Sequence, residues 1–179
     1  MKKKKKLSPE DTEKLFWKTG FNISAIEEIP EEINHVKIRE GTVITDDELL
    51  FIAKRIKKIG MLDLYYSTIS NDGIKHLTQL DSLQELRLKG NTVIDNGCMK
   101  FLNEIKSLEF LHVRNTAVNV DGLKDILSLT NLKTVLVSDE DTQENIDIKM
   151  KEITAALPNC EFNVNHTTYY PKQPWELLM

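Results

Sequence analysis

Histidine is the residue type best suited to acid–base or metal chemistry, and this chain of 179 residues has four of them. They are scattered along the chain, at His35, His76, His112 and His166. No HxxxH or CxxC pair occurs, so the sequence does not indicate a metal site. His112 is the strongest candidate for catalysis because it is expected near Arg87 and Asp63, but no serine or cysteine nucleophile is expected between them. We therefore expect no enzyme activity, and catalysis through His112 stays a remote alternative.

The glycines and cysteines also argue against a cofactor site. The seven glycines are isolated from one another, so there is no glycine-rich phosphate-binding loop. Gly73, Gly97 and Gly122 recur at intervals of 24 and 25 residues, which indicates a repeated backbone geometry. Cys98 and Cys160 fall at apolar core positions, so we expect buried thiols and no disulfide. The sequence predicts no cofactor.

A short apolar sequence pattern recurs along the chain. It predicts the strands that must position any functional side chain. Its clearest copy is LQELRL, in which Leu83, Leu86 and Leu88 have the spacing of a strand with one buried face. The first apolar positions of four copies lie 24, 25 and 24 residues apart, at Ile59, Leu83, Leu108 and Leu132. An apolar helical pattern follows each of the first three of these strands. This period is typical of a repeat protein.

The phrases resemble those of leucine-rich-repeat proteins, in which LxxLxLxx is followed by asparagine, cysteine or a small hydroxyl residue. Ser67, Asn91 and Thr116 occupy that slot here, where a short polar side chain can bond the exposed backbone of a neighbouring turn. The resemblance implies an α/β right-handed solenoid of about five repeats, with a parallel concave sheet, outer helices and a cap at both ends. It also implies protein binding.

Four segments are expected. Residues 1–7 form a disordered basic tail, 8–32 an N-terminal helical cap, 33–165 the repeats and 166–179 a C-terminal aromatic tail. The cap helix should begin after Ser8 as N-cap, and the first repeat helix after Thr45, with Glu48 completing a capping box. The aromatic tail has two alternative roles: it covers the open end of the repeats, or it binds a partner.

Between the apolar positions of each strand lie residues that should point away from the core, onto the concave face. These are the candidate partner-binding residues: Met61, Asp63, Tyr65, Glu85, Arg87, Lys89, Phe110, His112, Arg114 and Leu136. Lys37 and Arg39 should extend this face into the first repeat. Three of the candidates are large and apolar, which argues against the alternative of a merely solvated sheet face.

The charge of this face is expected to differ from that of the whole chain. The formal net charge is −4, and it becomes −9 when the five lysines of the basic tail are left out, which argues against a general nucleic-acid binder. With Lys37 and Arg39, the concave face carries five basic and two acidic side chains. We therefore expect a partner with an acidic surface, bound through arginine and aromatic anchors.

The expected function is a non-catalytic protein–protein interaction module. Within that class we favour an intracellular inhibitor, such as a bacterial immunity protein that occludes a delivered toxin. The alternative is an adaptor or assembly factor in a larger protein complex, which would use both the concave face and the aromatic tail. No secretory or transmembrane segment is recognised, so we expect a cytoplasmic protein without membrane insertion, monomeric when free.

Overall fold

The computed structural model describes residues 7–37 and 44–171. Several sequence-based predictions concern residues outside these ranges: the basic tail up to residue 6, Arg39, and the aromatic tail from residue 172 onward. Of Lys37 only the backbone is described.

Within the described residues, seven strands form one sheet in chain order. They are β1 (Glu32–Lys37), β2 (Lys58–Asp63), β3 (Ser82–Arg87), β4 (Phe110–His112), β5 (Thr134–Val137), β6 (Glu161–Val164) and β7 (Thr167–Tyr169). Strands β1 to β6 pair in parallel, and β7 pairs antiparallel with β6. The prediction of an α/β fold with a parallel sheet is confirmed. The last strand was not predicted, since residues 166–179 were assigned to a tail.

Helical segments connect the parallel strands. The α-helices are α1 (Pro9–Phe16), α2 (Asp46–Arg55), α3 (Asn71–His76), α4 (Met99–Leu102) and α5 (Gln143–Ala156). The other helical segments are a π-helix at Trp17–Phe21 and 3-10 helices at Ile26–Glu28, Leu77–Gln79, Asn96–Cys98 and Val120–Ile126. The helical connections in the middle of the chain are therefore short and partly 3-10. This is expected, because the strand and the turns of each 24-residue period leave only a few residues for the helix.

The spacing of the apolar phrases in the sequence equals the offset between paired residues of neighbouring strands. Ile59 pairs with Leu83 and Leu62 pairs with Leu86, so residues one period apart lie side by side. This stacks the apolar side chains into columns, and Leu83, Leu86 and Leu88 are all fully buried. The core is a continuous cluster from Phe16 and Trp17 at one end to the β6 residues at the other.

The N-terminal segment covers the first end of the sheet, where the core would otherwise be open to water. The Oγ atom of Ser8 accepts a hydrogen bond from the backbone N–H of Asp11 at 3.1 Å, which confirms the predicted N-cap. The centroids of the Phe16 and Phe51 rings are 5.8 Å apart. Arg55 Nε donates a hydrogen bond to Glu13 Oε1 at 2.7 Å. This hydrogen bond lowers the pKa of Glu13 and ties α1 to α2.

The predicted capping box at the start of α2 is also present. The backbone N–H of Thr45 donates to Glu48 Oε2 at 2.9 Å. α2 buries Leu49, Ile52 and the following Ile56 completely, as their helical spacing predicts.

Reciprocal side-chain bonds join the starts of consecutive helical connections. Asn96 Nδ2 donates to Asn119 Oδ1 at 2.7 Å, and the backbone N–H of Asn119 donates back to Asn96 Oδ1 at 3.0 Å. One period earlier, Asn71 and Asp95 form the same pair, at 2.5 and 3.2 Å. Gly122 packs directly against Asn96, which explains why glycine recurs at this position of the period.

Candidate functional site

The strands bring the predicted site residues together in rows on one side of the sheet. The first row is formed by the register pairs Met61 with Glu85 and Glu85 with Phe110. The second row contains Asp63, Arg87, His112 and Leu136 in adjacent strands. We call the surface formed by the ten predicted partner-binding residues the sheet face.

The third row follows the strands and is held by backbone bonds between the strand ends. The N–H of Tyr66 donates to the carbonyl of Lys89 at 3.0 Å, and the N–H of Gly90 donates to the carbonyl of Arg114 at 3.1 Å. These bonds place Tyr65, Lys89 and Arg114 beside one another. All three rows thus have the order that the sequence period predicts.

His112 differs from the other nine residues of the sheet face because it is buried. It was predicted to be open to a partner, but only 7% of its surface is exposed. The reason is that two aromatic rings pack edge-on against the imidazole, Tyr65 at 5.3 Å and Phe110 at 6.5 Å between ring centroids. Tyr65 itself is 36% exposed and forms part of the outer surface.

A hydrogen bond joins Tyr65 and His112 across the intervening strand β3. The Tyr65 hydroxyl oxygen lies 2.6 Å from Nδ1 of His112, although the residues are 47 positions apart in sequence. The sequence period does not predict this pair, because the period relates residues of one row and the two residues lie in different rows. Tyr65 lies two residues after the position that shares a row with His112, and the two residues are two periods apart. This offset is the signal that could have revealed the pair, since long side chains reach diagonal neighbours in a sheet.

Both arginines of the sheet face are held by neighbouring side chains. Arg87 Nη2 donates to Glu85 Oε2 at 3.1 Å, and the Arg87 guanidinium lies 5.3 Å from the centre of the Phe110 ring. Arg114 Nη2 donates to Oδ1 of Asn163 on β6. Asn163 in turn donates through Nδ2 to Thr168 Oγ1 on β7 at 3.0 Å, so the last two strands help to position Arg114.

The electrostatics of the site keep His112 neutral near pH 7. Burial lowers its pKa to about 4, and the positive charges of Arg114, Lys89 and Arg87 contribute in the same direction. Asp63 acts in the opposite direction. The ten residues of the sheet face include three basic side chains, Arg87, Lys89 and Arg114, and two acidic ones, Asp63 and Glu85.

Three side-chain nitrogen atoms of the sheet face are buried without a hydrogen-bond partner among the described residues. They are His112 Nε2, Arg87 Nε and Arg114 Nε. A buried polar group that is left unpaired destabilises a protein by about 1 to 3 kcal/mol.

Outside the sheet face, two concave regions lie among the described residues. One, of about 720 Å³, is lined by polar loop residues, and Lys149 there bridges Asp121 at 2.8 Å and Asp141 at 2.9 Å. The other, of about 770 Å³, lies between α5 and the segment from Tyr169 to Pro171. The Tyr169 hydroxyl donates to Asp147 Oδ1 at 2.6 Å and so fixes the start of the predicted aromatic tail against α5.

Within residues 7–37 and 44–171, no group of three or more His, Cys, Asp and Glu side chains is placed to hold a metal ion. None of the helices in that part of the chain has the length and apolar character needed to cross a bilayer. No model of a protein family matches the chain, and no curated protein matches it significantly.

We expect His112 to make folding stability sensitive to mild acid. Its folded-state pKa of about 4 is below the ordinary value of 6.5, so the unfolded chain takes up a proton first as the pH falls. The parent should lose up to about 3 kcal/mol of unfolding free energy between pH 7 and pH 4, with none of this loss above pH 7. Urea unfolding of the parent and of His112→Gln across this range measures the effect. Stability curves that stay parallel would contradict it.

Proposed function

We propose that this chain is a leucine-rich-repeat solenoid that binds another protein through its sheet face. The proposal for the repeat class is supported by the strand order, in which each parallel strand pairs with the copy one period away. It is also supported by the position of Asn91, whose buried side chain donates to the Leu64 carbonyl of the preceding copy at 2.8 Å. A side chain that bonds the neighbouring copy suits a protein built by stacking equivalent units.

The observation that carries the functional proposal is the composition of the sheet face. Met61, Phe110 and Leu136 are each partly exposed there, next to two arginines whose guanidinium groups are already held in position. Partly exposed apolar side chains beside fixed arginines are typical of the central contacts of protein interfaces. A surface that contacted only water would not favour three large apolar side chains.

An acidic partner surface fits the charges best. Arg87 ends β3, Lys89 lies two residues after it, and Arg114 lies two residues after the adjacent strand β4. The chain as a whole, in contrast, has a formal net charge of −4. The basic sheet face would attract an acidic surface, and the acidic remainder of the protein would disfavour other orientations. Among protein-binding modules we favour an inhibitor that occludes its target through this face, such as an immunity protein.

A second candidate function is an adaptor that contacts two partners. It is favoured by the region of about 770 Å³ beside α5, which is lined by Met150, Tyr169, Tyr170 and Pro171. Tyr170 is 64% exposed, so this region offers apolar surface separate from the sheet face. An adaptor would retain one partner when the sheet face is altered, whereas an inhibitor that uses only the sheet face would not.

The test compares the parent with an Arg87→Glu, Arg114→Glu variant. The partner is captured from the native source, identified and purified, and its Kd is then measured for each protein. We expect at least a thirtyfold increase in Kd, roughly 2 kcal/mol, because two attractions become repulsions. The control is Lys75→Glu, Lys124→Glu, which changes the charge equally at exposed helical positions and should leave the Kd unchanged.

Folding must be matched before the Kd values are compared, because Arg114 also holds Asn163. Equal circular dichroism spectra and unfolding midpoints establish the match. If the arginine variant is less stable, Lys89→Glu takes its place, since the hydrogen bond that Lys89 makes among the described residues uses its backbone carbonyl, which the substitution keeps. An unchanged Kd for the folded variant would refute binding through the sheet face.

A further inference from the structure

The concave region of about 770 Å³ beside α5 has one side of that helix as a wall. The residues that α5 and the turn after it contribute are Asp147, Met150, Lys151, Thr154, Ala155 and Pro158. Their spacing of three and four positions is that of residues on one side of a helix. The other wall is the segment from Tyr169 to Pro171, which leads the chain out of β7. We call this region the α5 groove.

Two hydroxyl groups of the α5 groove are already paired within the protein. Thr154 Oγ1 donates to the backbone carbonyl of Met150 at 2.8 Å, and both residues are buried. The Tyr169 hydroxyl accepts from Gln143 Nε2 and donates to Asp147 Oδ1, each at 2.6 Å. Neither hydroxyl therefore requires a polar ligand, and an occupant gains free energy mainly by removing apolar surface from water. The occupant should be apolar.

The chain itself brings apolar side chains to the rim of the α5 groove. Pro171 lines the groove, and the sequence continues after it with KQPWELLM, which includes Trp175, Leu177 and Leu178. Four extended residues span up to about 14 Å, so Trp175 is within reach of the groove. A segment attached at the rim has an effective concentration on the order of millimolar. A separate partner or a second copy of the chain has no such advantage.

The charge at the rim fits the same segment. Lys151 is exposed and takes part in none of the ion pairs among the described residues. Glu176 follows Trp175 directly in the sequence, so a tryptophan in the groove would bring a carboxylate to the rim. An exposed ion pair adds little affinity, but it favours one direction of a bound segment over the other.

We propose that the α5 groove is the docking site for residues 172–179 of the same chain, with Trp175 as the principal contact. A tryptophan side chain buries about 150 to 250 Å² in such a contact. Docking covers the last helix and strand of the sheet, and stacked repeats need a cover at their ends. It also occupies the apolar surface that an adaptor would use for a second partner, and so favours the inhibitor. The proposal does not depend on binding through the sheet face.

The test is nuclear magnetic resonance of the full chain, with ¹³C in the methyl groups of alanine and methionine and ¹⁵N in the indole groups. The chain has two tryptophans, of which Trp17 is fully buried, so a Trp175→Phe variant assigns the two indole signals. We expect nuclear Overhauser contacts from the Trp175 ring to the methyl groups of Met150 and Ala155. Absence of both contacts would overturn the docking. Contacts that arise only between labelled and unlabelled chains in a mixture would overturn it too, because a second copy would then be the occupant.

Arginine substitutions of two neighbouring exposed alanines provide a matched comparison. Ala155 lines the α5 groove, so Ala155→Arg should fill it and abolish the contact between the Trp175 ring and the Met150 methyl group. Ala156 is also exposed and helical but does not line the groove, so Ala156→Arg should keep that contact. Loss of the contact in both variants, or its retention in both, would contradict the groove as the site. Circular dichroism establishes that the variants fold, and the contacts in the parent decide the question if one of them does not.

Discussion

Replacement of Asn91 by leucine is expected to lower the free energy of unfolding by about 3 kcal/mol. Asn91 is 2% exposed, and its Nδ2 donates to the carbonyl oxygens of Leu64 at 2.8 Å and of Leu88 at 2.7 Å. Leucine removes both donors and leaves the Leu64 carbonyl, in the preceding copy of the repeat, without its side-chain partner. Urea unfolding followed by circular dichroism measures the change.

The matched control is Asn131→Leu. Asn131 also donates through Nδ2 to a backbone carbonyl, that of Lys106 at 2.8 Å, but it is exposed and water can replace the bond. We expect a loss below about 1 kcal/mol there. Equal unfolding midpoints for the parent and Asn91→Leu would refute the structural role of Asn91. Since Asn91 points away from the sheet face, the folded variant should bind the partner with an unchanged Kd.

Replacement of Gly122 by alanine is expected to destabilise the protein by about 2 to 3 kcal/mol. A Cβ at this position would lie 2.6 Å from Cγ and 3.1 Å from Cβ of Asn96, and closer still to its Oδ1. Rotation of the Asn96 amide alone cannot relieve these contacts. Asn96 must therefore withdraw and give up both of its bonds to Asn119.

A double-mutant cycle distinguishes this mechanism from a general intolerance of alanine. Asn96→Ala alone should cost about 1 to 2 kcal/mol, and the double variant Asn96→Ala, Gly122→Ala should cost less than the sum of the two single changes, because the clash is removed with the amide. Gly20→Ala is the control, since a Cβ at that position would approach a Phe16 ring carbon only to 3.9 Å, an ordinary van der Waals distance. Strictly additive costs in the cycle would contradict the close packing of Asn96 on Gly122.

The arrangement of the sheet face could be predicted well from the sequence because it depends on backbone periodicity alone. A residue such as Arg87 reaches its place beside His112 through the 25-residue spacing of their strands, and parallel pairing preserves that spacing. The helix starts at Ser8 and Thr45 were predictable for a similar reason, since capping is a contact between residues three positions apart.

The contacts between side chains of different rows could not be predicted in the same way. Burial of His112 depends on the side-chain torsions of Tyr65 and Phe110, and the position of Arg114 depends on Asn163 and on the unexpected strand β7. Each of these contacts joins residues 2 to 49 positions apart in sequence, with no common spacing. A period in the sequence carries no information about them.

By itself, then, the sequence determined the repeat, the register of β2 to β5 and the three rows of the sheet face, because each follows from apolar residues recurring at one interval. The tertiary structure alone decided that His112 is buried and neutral, that Tyr65 pairs with it, and that one buried nitrogen each of Arg87, His112 and Arg114 has no hydrogen-bond partner among the described residues. The physical reason is that strand pairing is set by the backbone, whereas burial and hydrogen bonding on the face are set by long side chains that cross from one strand to another.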